Sequence, residues 1–584
     1  MTYKKILQSI AIAVLAGTTM SCNDILDVSD ETKISDVAVW SNETAADMYI
    51  TATYKTFTED ALFYGDYTST DRSRFWDSFT DIMKSPSWDQ YGHPYNSTLM
   101  QGITNGDAGA GAFECWSEVY NRIRLDNLKL RELRLYGSKN MSEDWIALRE
   151  AEVRLCRAYN YFRLARVYGG VVLRTDKSGV NGVDDGANEE DIVRARASEA
   201  ETYRFILDEL QAAAEVLPES TSGSWQRGRA TKAFAYGLIS RIALYAQQWK
   251  EAAEAAEKCG ELSSVGLNEN YAALFTSASI GTPEMIFQIE FAQGAISHLF
   301  DQHVCPGGDF NINKQNTYAE HQPTAELADI YEWKDGTEFN WNTWSSEHAD
   351  PYTDREPRFH ATVLYNGAPW RDRTIACWAD YSTPEGDVVS SYDGFQAFKK
   401  SGATGGKSCT GYFLRKFLDE SNNNFTTDGS TQPCPVMRYG EVLLNQAEAY
   451  AQLDVVGNQD KILKCINMLR NRVGLPDKGR DAVSNLENAM NLIRTERIKE
   501  LAGEGFRLWD LRRWRLAQSV LDGKTRHGVE ITNEDRTEEP TNFSYKVCDI
   551  DANTPLIFPE RYNLFSIPLA ERTANPACTN NPMW

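Results

Sequence analysis

Histidine and cysteine are scarce in this sequence, and their scarcity argues against several kinds of site. Seven histidines and eleven cysteines are spread over 584 residues, without the CxxC pairs of zinc sites or the density of a disulfide framework. His298, His303 and Cys305 lie close together in the chain, but they lack the i, i+4 helical spacing and the second ligand pair of zinc sites. We therefore predict no metal and no cofactor, and we expect most cysteines to be buried.

Catalytic motifs are also missing, which argues against an enzyme. The sequence contains neither HExxH nor GxSxG. Residues 402–408 (GATGGKS) have three residues where a phosphate-binding loop needs four before its Gly-Lys pair, so we interpret them as a turn. Glu496, Glu500 and Glu504 share a helix face, but Arg494, Arg497, Arg507, Arg512 and Arg513 accompany them. This pattern predicts an ion-paired structural network rather than a pair of catalytic carboxylates.

Positive charge is in deficit, and long apolar runs are absent after the first residues. The formal net charge of −23 argues against nucleic acid and anionic membrane surfaces as partners. Lys4 and Lys5 precede an apolar run at 6–16, and Cys22 follows a small residue where cleavage is expected. We predict a lipoprotein signal peptide over 1–21 and lipidation of Cys22, although Thr19 replaces the usual Leu; the alternative is an ordinary secretory signal.

What is present is helical periodicity, most clearly in two segments. Residues 229–262 predict two antiparallel helices, in which a stripe of small residues on the second allows a neighbouring helix to approach closely. Residues 437–473 repeat this plan. Such pairs resemble tetratricopeptide units, and one pair cannot bury its own apolar face, so several must stack. We predict a mainly α-helical scaffold with long irregular insertions and a few short strands.

The remaining elements follow from the same patterns. Further helices are predicted at 43–56, 112–136, 143–168, 198–217, 485–503 and 506–521, and a strand at 282–291. The scaffold then covers about 37–281 and 433–521. Helical periodicity disappears between about 292 and 432, and the tail after 521 is predicted to be irregular. Irregular insertions as long as 292–432 are usually functional.

Aromatic residues are concentrated in the irregular segments, among Asp, Asn, Ser and Gly. A flat ring covers the apolar C–H face of a sugar, while amides and charged groups hydrogen-bond its hydroxyls. We therefore predict a glycan site on exposed rings, with these candidates: Trp76, Trp88, Tyr91, Trp333, Trp341, Trp344 and Trp370. Two alternatives stay open: a secreted glycoside hydrolase, and a tetratricopeptide-type scaffold that binds only proteins.

The C-terminal helices carry a specific pattern: IRTER at 493–497, Glu500-Leu501, EGFR at 504–507 and DLRRW at 510–514. This pattern resembles the SusD/RagB family of surface glycan-binding lipoproteins. Further segments agree with it, namely the start at 22–27 (CNDILD), the helix at 149–169 that ends in Tyr168-Gly169, the helix at 439–449, and the closing Ile567-Pro568 and Asn575-Pro576. The resemblance thus spans nearly the whole chain.

The resemblance implies four tetratricopeptide-like helix pairs and an irregular glycan-binding face, within one SusD-like domain over 22–584. It also implies a non-catalytic protein of the outer membrane, lipid-anchored at Cys22 and facing the cell exterior. The implied partner is a SusC-like TonB-dependent outer-membrane barrel that receives the captured oligosaccharide. The family's shared motifs are structural, so they point to no sugar-contacting residue, and the candidate rings depend on the aromatic-loop argument alone.

Overall fold

A computed structural model describes residues 39–61, 75–85, 110, 113–176, 193–223, 225–309, 317–395, 407–551 and 555–584. The predicted signal peptide and Cys22 lie outside these ranges. The helices, which we number α1 to α18 in chain order, are Glu43–Thr51, Lys55–Glu59, Trp116–Leu135, Glu143–Tyr168, Glu199–Val216, Lys232–Tyr245, Trp249–Glu261, Phe300–Val304, Ala325–Ile330, Trp344–Glu347, Pro357–Thr362, Phe425–Asp428, Tyr439–Asp454, Gln459–Arg472, Leu486–Leu501, Arg507–Arg513, Ala517–Leu521 and Leu569–Ala574. Within the described ranges, none of these helices is long and apolar enough to cross a bilayer.

The two predicted helix pairs are confirmed as α6 with α7 and α13 with α14. The Thr231 side chain caps α6 by accepting from the Phe234 amide, and Gln247 turns the chain with a φ of 55°. The small residues at these contacts permit close packing: a Cβ at Gly237 would lie 2.8 Å from Met437, and one at Gly260 would lie 2.6 Å from the Tyr439 hydroxyl. The first pair therefore packs directly on the second.

Helix α4 is the longest helix described and matches its predicted bounds. The Ser142 side chain accepts from the Trp145 amide at its start, and Gly169 ends it with a φ of 74°. Most of its residues are buried because it packs between α3 and α5. The helices predicted at 112–136, 198–217 and 485–503 are confirmed as α3, α5 and α15, with bounds shifted by a few residues at most.

Two predicted helices are interrupted. The segment 43–56 forms α1, a turn of 3-10 helix and then α2. The segment 506–521 divides into α16 and α17, because Arg515 has a φ of 58° and cannot continue a helix. Interruptions of this kind leave apolar periodicity intact, so the sequence pattern does not reveal them.

The strands are short and paired. In chain order from β1 to β12 they are Met83–Lys84, Met285–Ile289, Gln322–Pro323, Val363–Leu364, Pro369–Trp370, Arg373–Thr374, Tyr381–Ser382, Val388–Val389, Phe413–Leu414, Cys434–Arg438, His527–Asn533 and Phe543–Asp549. β2, predicted at 282–291, pairs antiparallel with β10. The segment 292–432, predicted to be irregular, contains helices of four to six residues and two-residue strands in its described part, and this part contributes most of an apolar core that is distinct from the core of the helical scaffold.

The prediction of an irregular tail is wrong for 527–549. β11 and β12 form an antiparallel hairpin in which Ile531 faces Tyr545 and Val529 faces Val547. Val529 and Ile531 are fully buried against the core of the insertion. This hairpin brings a C-terminal aromatic ring, that of Tyr545, to the insertion.

A buried ion-pair network joins the two cores. Its acidic members include Glu496, Glu500 and Glu504, which confirms the predicted structural role of this helix face, together with Glu284, Glu332 and Glu356. The partners differ from those predicted: they are Arg358, Lys416, Arg438, Arg470 and Arg472. Arg358 and Lys416 come from the insertion, whereas Arg438, Arg470 and Arg472 belong to the scaffold or its edge. Of the arginines predicted as partners, Arg497, Arg507 and Arg513 pair with other carboxylates, those of Asp510, Asp81 and Glu448, whereas Arg494 and Arg512 have no carboxylate partner among the described residues.

The cysteines that the structure describes are all free thiols, and all but Cys548 are buried. This confirms the prediction that most cysteines behave as small apolar side chains.

Candidate ligand-binding site

Three half-buried rings lie together at the surface of the insertion, and we call them the aromatic patch: Trp341, Trp344 and Tyr545. The ring centroids of Trp341 and Tyr545 lie 6.1 Å apart with 37° between the ring planes. Those of Trp344 and Tyr545 lie 5.7 Å apart at 87°. Two of the predicted rings are thus brought together, and a third ring joins them from the C-terminal hairpin.

The turn at 340–344 presents the two tryptophans. The Asn340 side-chain oxygen accepts from the Asn342 amide at 2.8 Å, and its backbone carbonyl accepts from the amides of Thr343 and Trp344 at 3.1 Å. Asparagine favours turns of this kind because its side chain replaces a backbone acceptor. Trp344 then begins the short helix α10. The local sequence therefore determines the backbone positions from which both indole side chains project.

Trp341 is anchored at its polar edge. Its indole Nε1 donates to Oδ2 of Asp329 at 2.9 Å, and the ring of Phe339 meets it edge-on at 5.0 Å. Burial raises the pKa of Asp329 to about 7, although the positive charge of Arg355 and the hydrogen bond from Trp341 both act to lower that pKa. The indole is thus held at one edge while part of its ring stays accessible.

Tyr545 is the member of the site that the sequence prediction missed. It lies on β12 opposite Ile531, and the ring of Tyr352 supports it edge-on at 5.7 Å. The signal was present as the alternation of Phe543, Tyr545 and Val547 with polar residues, which is typical of a half-buried strand.

Exposed polar side chains border the aromatic patch, among them Asn340, Asn342 and Glu347. Amide and charged groups beside accessible rings are the combination that sugar recognition needs: the rings contact C–H faces, and the polar groups bond to hydroxyls. Nothing in this arrangement brings together a nucleophile and a base. The patch is suited to binding.

Three other candidate rings are buried, which corrects the expectation that they face the solvent. Trp370 is 0% exposed, and its Nε1 donates to Asp309 at 3.1 Å. Trp333 is 3% exposed and stacks on His348 with centroids 3.5 Å apart. Trp76 is 6% exposed and packs on Phe113 and Trp509. Each ring fills a core position, so none offers a free face to a ligand here.

The last two candidates, Trp88 and Tyr91, fall outside the described residues. The three residues weighed as metal ligands are packed into the insertion: His298 Nε2 bonds to the Gln432 carbonyl at 3.0 Å, and burial lowers the pKa of His298 to about 4. Over the ranges that the structure describes, no group of three or more His, Cys, Asp or Glu residues is arranged to hold a metal ion.

Fold and motifs together define the class of this protein. A family model described as the SusD family matches residues 283–584, and one described as starch-binding and associating with the outer membrane matches residues 24–244. The first match covers more than half of the chain, so the chain belongs to the SusD family. The sequence motifs at 493–514, 567–568 and 575–576 lie within that match.

Individual relatives agree with this assignment. The SusD-like protein P38 of Formosa agariphila is 21% identical over 542 residues, which cover 89% of this chain and 93% of the relative. A SusD-like protein from Bacteroides fragilis is 25% identical with a TM-score of 0.75, covering 95% of this chain and 99% of its own. A protein described as a SusD-like carbohydrate-binding protein, also from Bacteroides fragilis, is 25% identical with a TM-score of 0.72, over 92% and 99% of the two chains.

Proposed function

We propose that this protein captures an oligosaccharide on the aromatic patch and performs no chemistry on it. The single observation that carries the proposal is the meeting of Trp341, Trp344 and Tyr545 as three partly accessible rings bordered by polar side chains. Membership of the SusD family and the carbohydrate binding attributed to one relative support it. We expect affinities between micromolar and millimolar, since so open a contact buries little of the ligand.

The angles between the rings indicate which shape of ligand fits. The plane of Tyr545 is turned 87° from that of Trp344 and 37° from that of Trp341. A flat crystalline polysaccharide would need coplanar rings to stack on all three. The patch is therefore matched to a short or bent segment of a soluble glycan, which can touch rings of different orientation.

Delivery is the second part of the proposal. We propose that the chain from 22 to 584 acts as one ligand-binding unit after removal of residues 1–21, with Cys22 lipidated and the protein facing the cell exterior. Several acyl chains make such attachment durable. The captured glycan would pass to a SusC-like TonB-dependent outer-membrane barrel. The outer-membrane association in one family description supports this placement. A Cys22→Ser variant that stayed in the outer-membrane fraction would contradict the anchor.

The patch is tested by substitution. We expect Trp341→Ala, Trp344→Ala and Tyr545→Ala each to weaken binding of an oligosaccharide found by glycan-array screening by about tenfold, the equivalent of about 1.4 kcal/mol for one lost ring contact. Trp249→Ala is the matched control, because Trp249 is a half-buried tryptophan on helix α7 of the scaffold. Calorimetric titration measures the affinities. Unchanged binding in all three patch variants would place the site elsewhere.

The two alternative functions have separate tests. A glycoside hydrolase would release shortened products from labelled polysaccharides, and we expect none. A scaffold that binds only proteins would show no retardation in affinity gels containing polysaccharide, whereas we expect retardation that the three patch variants reduce.

A further inference from the structure

A cavity of about 520 Å³ opens on the helical scaffold, among residues of α4, α5, α6 and α16 and residues 563–564. None of the three rings of the aromatic patch lines it. Its volume lies within the range of roughly 300–1,000 Å³ that is usual for small-molecule sites. The ring of Trp509 and the side chains of Leu207 and Leu564 give it an apolar part, and the rest of the lining is polar.

The charge of the lining is positive, in a chain whose net charge is −23. Five arginines contribute to it, Arg166, Arg204, Arg512, Arg513 and Arg515, against the single carboxylate of Glu199. Three of the five are neutralised by ion pairs: Arg166 with Asp60, Arg204 with Glu251, and Arg513 with Glu448. Arg512 and Arg515 have no carboxylate partner among the residues that the structure describes, so a surplus positive charge remains at the cavity.

Arg512 is the more constrained of these two arginines. Its side chain is 5% exposed, and its Nη2 donates to the carbonyls of Asn563 at 2.7 Å and Val167 at 3.3 Å. Its Nε and Nη1 have no hydrogen-bond partner within the described ranges of the chain. Burial lowers the pKa of Arg512 to about 9, which leaves the guanidinium charged at neutral pH. A buried charge without a counterion is costly, and a nearby anion would offset that cost.

Two tyrosine hydroxyls supply donors toward the cavity. Tyr203 is 3% exposed and lines the cavity, yet its hydroxyl bonds to no residue in the described part of the chain. The hydroxyl of Tyr245 is likewise unpaired there. Burial raises the pKa of Tyr203 well above its ordinary value and that of Tyr245 to about 12. Both hydroxyls therefore stay protonated and can donate to an oxyanion.

We propose that this cavity binds a sugar-sized molecule bearing one anionic oxygen group, a carboxylate or a sulfate. The hydroxyls of Tyr203 and Tyr245 would donate to the anion, and Arg512 and Arg515 would supply the compensating charge. The half-buried side chain of Leu564 would contact an apolar part of the ligand. Glu199 disfavours a second negative charge, which limits the ligand to a single anionic group. The site is separate from the aromatic patch, so a negative result for this cavity would leave the proposed function unaffected, and a negative result for the patch would leave this proposal unaffected.

The probes are D-glucuronate, D-glucose 6-sulfate and uncharged D-glucose, titrated into the full-length protein by calorimetry and by ligand-observed NMR. We expect at least one acidic sugar to bind at millimolar concentration or below, and glucose to bind at least tenfold more weakly. Tighter binding of glucuronate would identify the anionic group as a carboxylate, and tighter binding of glucose 6-sulfate would identify it as a sulfate ester. Either result supports the site. Equal binding of glucose and both acids, or no binding of either acid, would overturn it.

The variants are Tyr203→Phe, Tyr245→Phe and Arg515→Gln. Each removes a group without a hydrogen-bonding or ionic partner in the described protein, so we expect the fold to be retained, which circular dichroism checks. We expect Tyr203→Phe to weaken binding of the acidic sugar about tenfold, as for the loss of one hydrogen bond to a charged group. Tyr236→Phe is the matched control, because Tyr236 lies on the same helix as Tyr245 but does not line the cavity. Equal binding by control and cavity variants would refute the proposal, and Trp341→Ala should leave this binding unchanged.

Discussion

At the scale of single residues, the fate of a tryptophan depends on what packs behind it. Trp341 and Trp370 both belong to the insertion, and both indoles donate to an aspartate, Asp329 and Asp309. Trp370 is nevertheless fully buried, while Trp341 keeps part of its ring accessible. The neighbouring sequence of both is polar and irregular, so composition alone could not separate the accessible ring from the core ring.

The hydrogen bond between Trp341 and Asp329 leads to a prediction about pH. Burial raises the pKa of Asp329 from 3.8 to about 7, despite Arg355 and His527 nearby, and Glu326 adds to the rise. Because the folded state holds the proton more tightly, this group's contribution to stability is complete below pH 3.8 and is lost as pH rises through 7. We expect the free energy of unfolding to fall from pH 5 to pH 8 by more in the wild type than in Asp329→Asn.

Urea denaturation at the two pH values measures this difference, with tryptophan fluorescence as the signal. Asp77 and Asp301, whose pKa values burial raises to about 6, change stability in the same direction. They are present in both proteins, so their effect cancels in the comparison. If the free energy of unfolding fell by the same amount from pH 5 to pH 8 in wild type and variant, Asp329 would titrate at its ordinary pKa.

At the scale of elements, the short turn at 75–79 is tied to the family motif by one carboxylate. Asp77 accepts from the amides of Gly503 at 2.9 Å, Gly505 at 3.1 Å and Arg507 at 3.1 Å. Gly503 and Gly505 have φ values of 77° and 80°, a conformation that glycine adopts without strain. The two glycines let three amides converge on Asp77 just before α16 begins.

We expect Asp77→Ala to destabilise the protein by about 3 kcal/mol, since it leaves three largely buried amides without their acceptor. The matched control is Asp535→Ala, because the exposed Asp535 also accepts from two backbone amides, those of Thr541 and Asn542. Water can replace Asp535, so we expect a loss below about 1 kcal/mol there. Chemical denaturation measures both losses of stability. Equal losses would mean that the hydrogen bonds to Asp77 stabilise the protein no more than the exposed hydrogen bonds to Asp535.

The elements also show how far the sequence pattern reaches. Helices α4, α6 and α7 were predictable because apolar or small residues recur every three or four positions over three or more turns, and α4 and α6 also begin or end at a capping residue or glycine. The hairpin of β11 and β12 was missed although it alternates: Val529 and Ile531 of β11 are buried, but Tyr545 and Val547, which pair with them on β12, are only partly covered or exposed. The two-residue strands of the insertion are too short to show a period, and some of them depend on contacts between residues distant in sequence, such as the pairing of β4 with β9.

The same distinction holds for the candidate site. The aromatic loop at 333–344 was predictable as a region, since Trp341 and Trp344 stand among exposed polar residues. Their meeting with Tyr545 was not, because about 200 residues separate the two segments and only the packing of the hairpin on the insertion joins them. The arginine-rich cavity was missed for a further reason: Arg512 and Arg513 lie in a motif interpreted as wholly ion-paired.

At the scale of the whole molecule, the helical scaffold and the insertion have separate apolar cores, and buried charges connect them. Glu500 contacts Arg438 at 2.7 Å, Arg472 at 2.6 Å and Arg358 at 3.4 Å. Burial alone would raise the pKa of Glu500, but these three cations outweigh it and lower the pKa well below the ordinary range. The insertion therefore depends on ionised glutamates for part of its attachment to the scaffold.

This dependence predicts loss of stability in acid. Burial acts to raise the pKa of Glu496 as well, yet Arg358, Lys499 and Arg470 lower it from 4.5 to about 2. A carboxylate whose pKa is lower in the folded than in the unfolded state stabilises the protein at pH values above its unfolded-state pKa. This stabilisation is lost as the pH falls through the folded-state pKa. We expect the stability due to this network to be full above pH 4.5 and to decline toward pH 2, with the insertion and scaffold separating before the helices unfold.

Glu500→Ala tests the same attachment at neutral pH. It removes the carboxylate that Arg438 and Arg472 share and leaves them Glu504 and Glu284 as partners, so we expect a loss of about 3 kcal/mol, the lower end for a broken buried ion pair. Asp460→Ala breaks the exposed pair with Arg480 and should cost less than about 1 kcal/mol. Because the aromatic patch lies in the insertion, Glu500→Ala should also weaken glycan binding, whereas Asp460→Ala should not. Limited proteolysis measures the attachment. If the insertion of the Glu500→Ala variant were cut no faster than that of the wild type, the ion-pair network would not be what attaches the insertion to the helical scaffold.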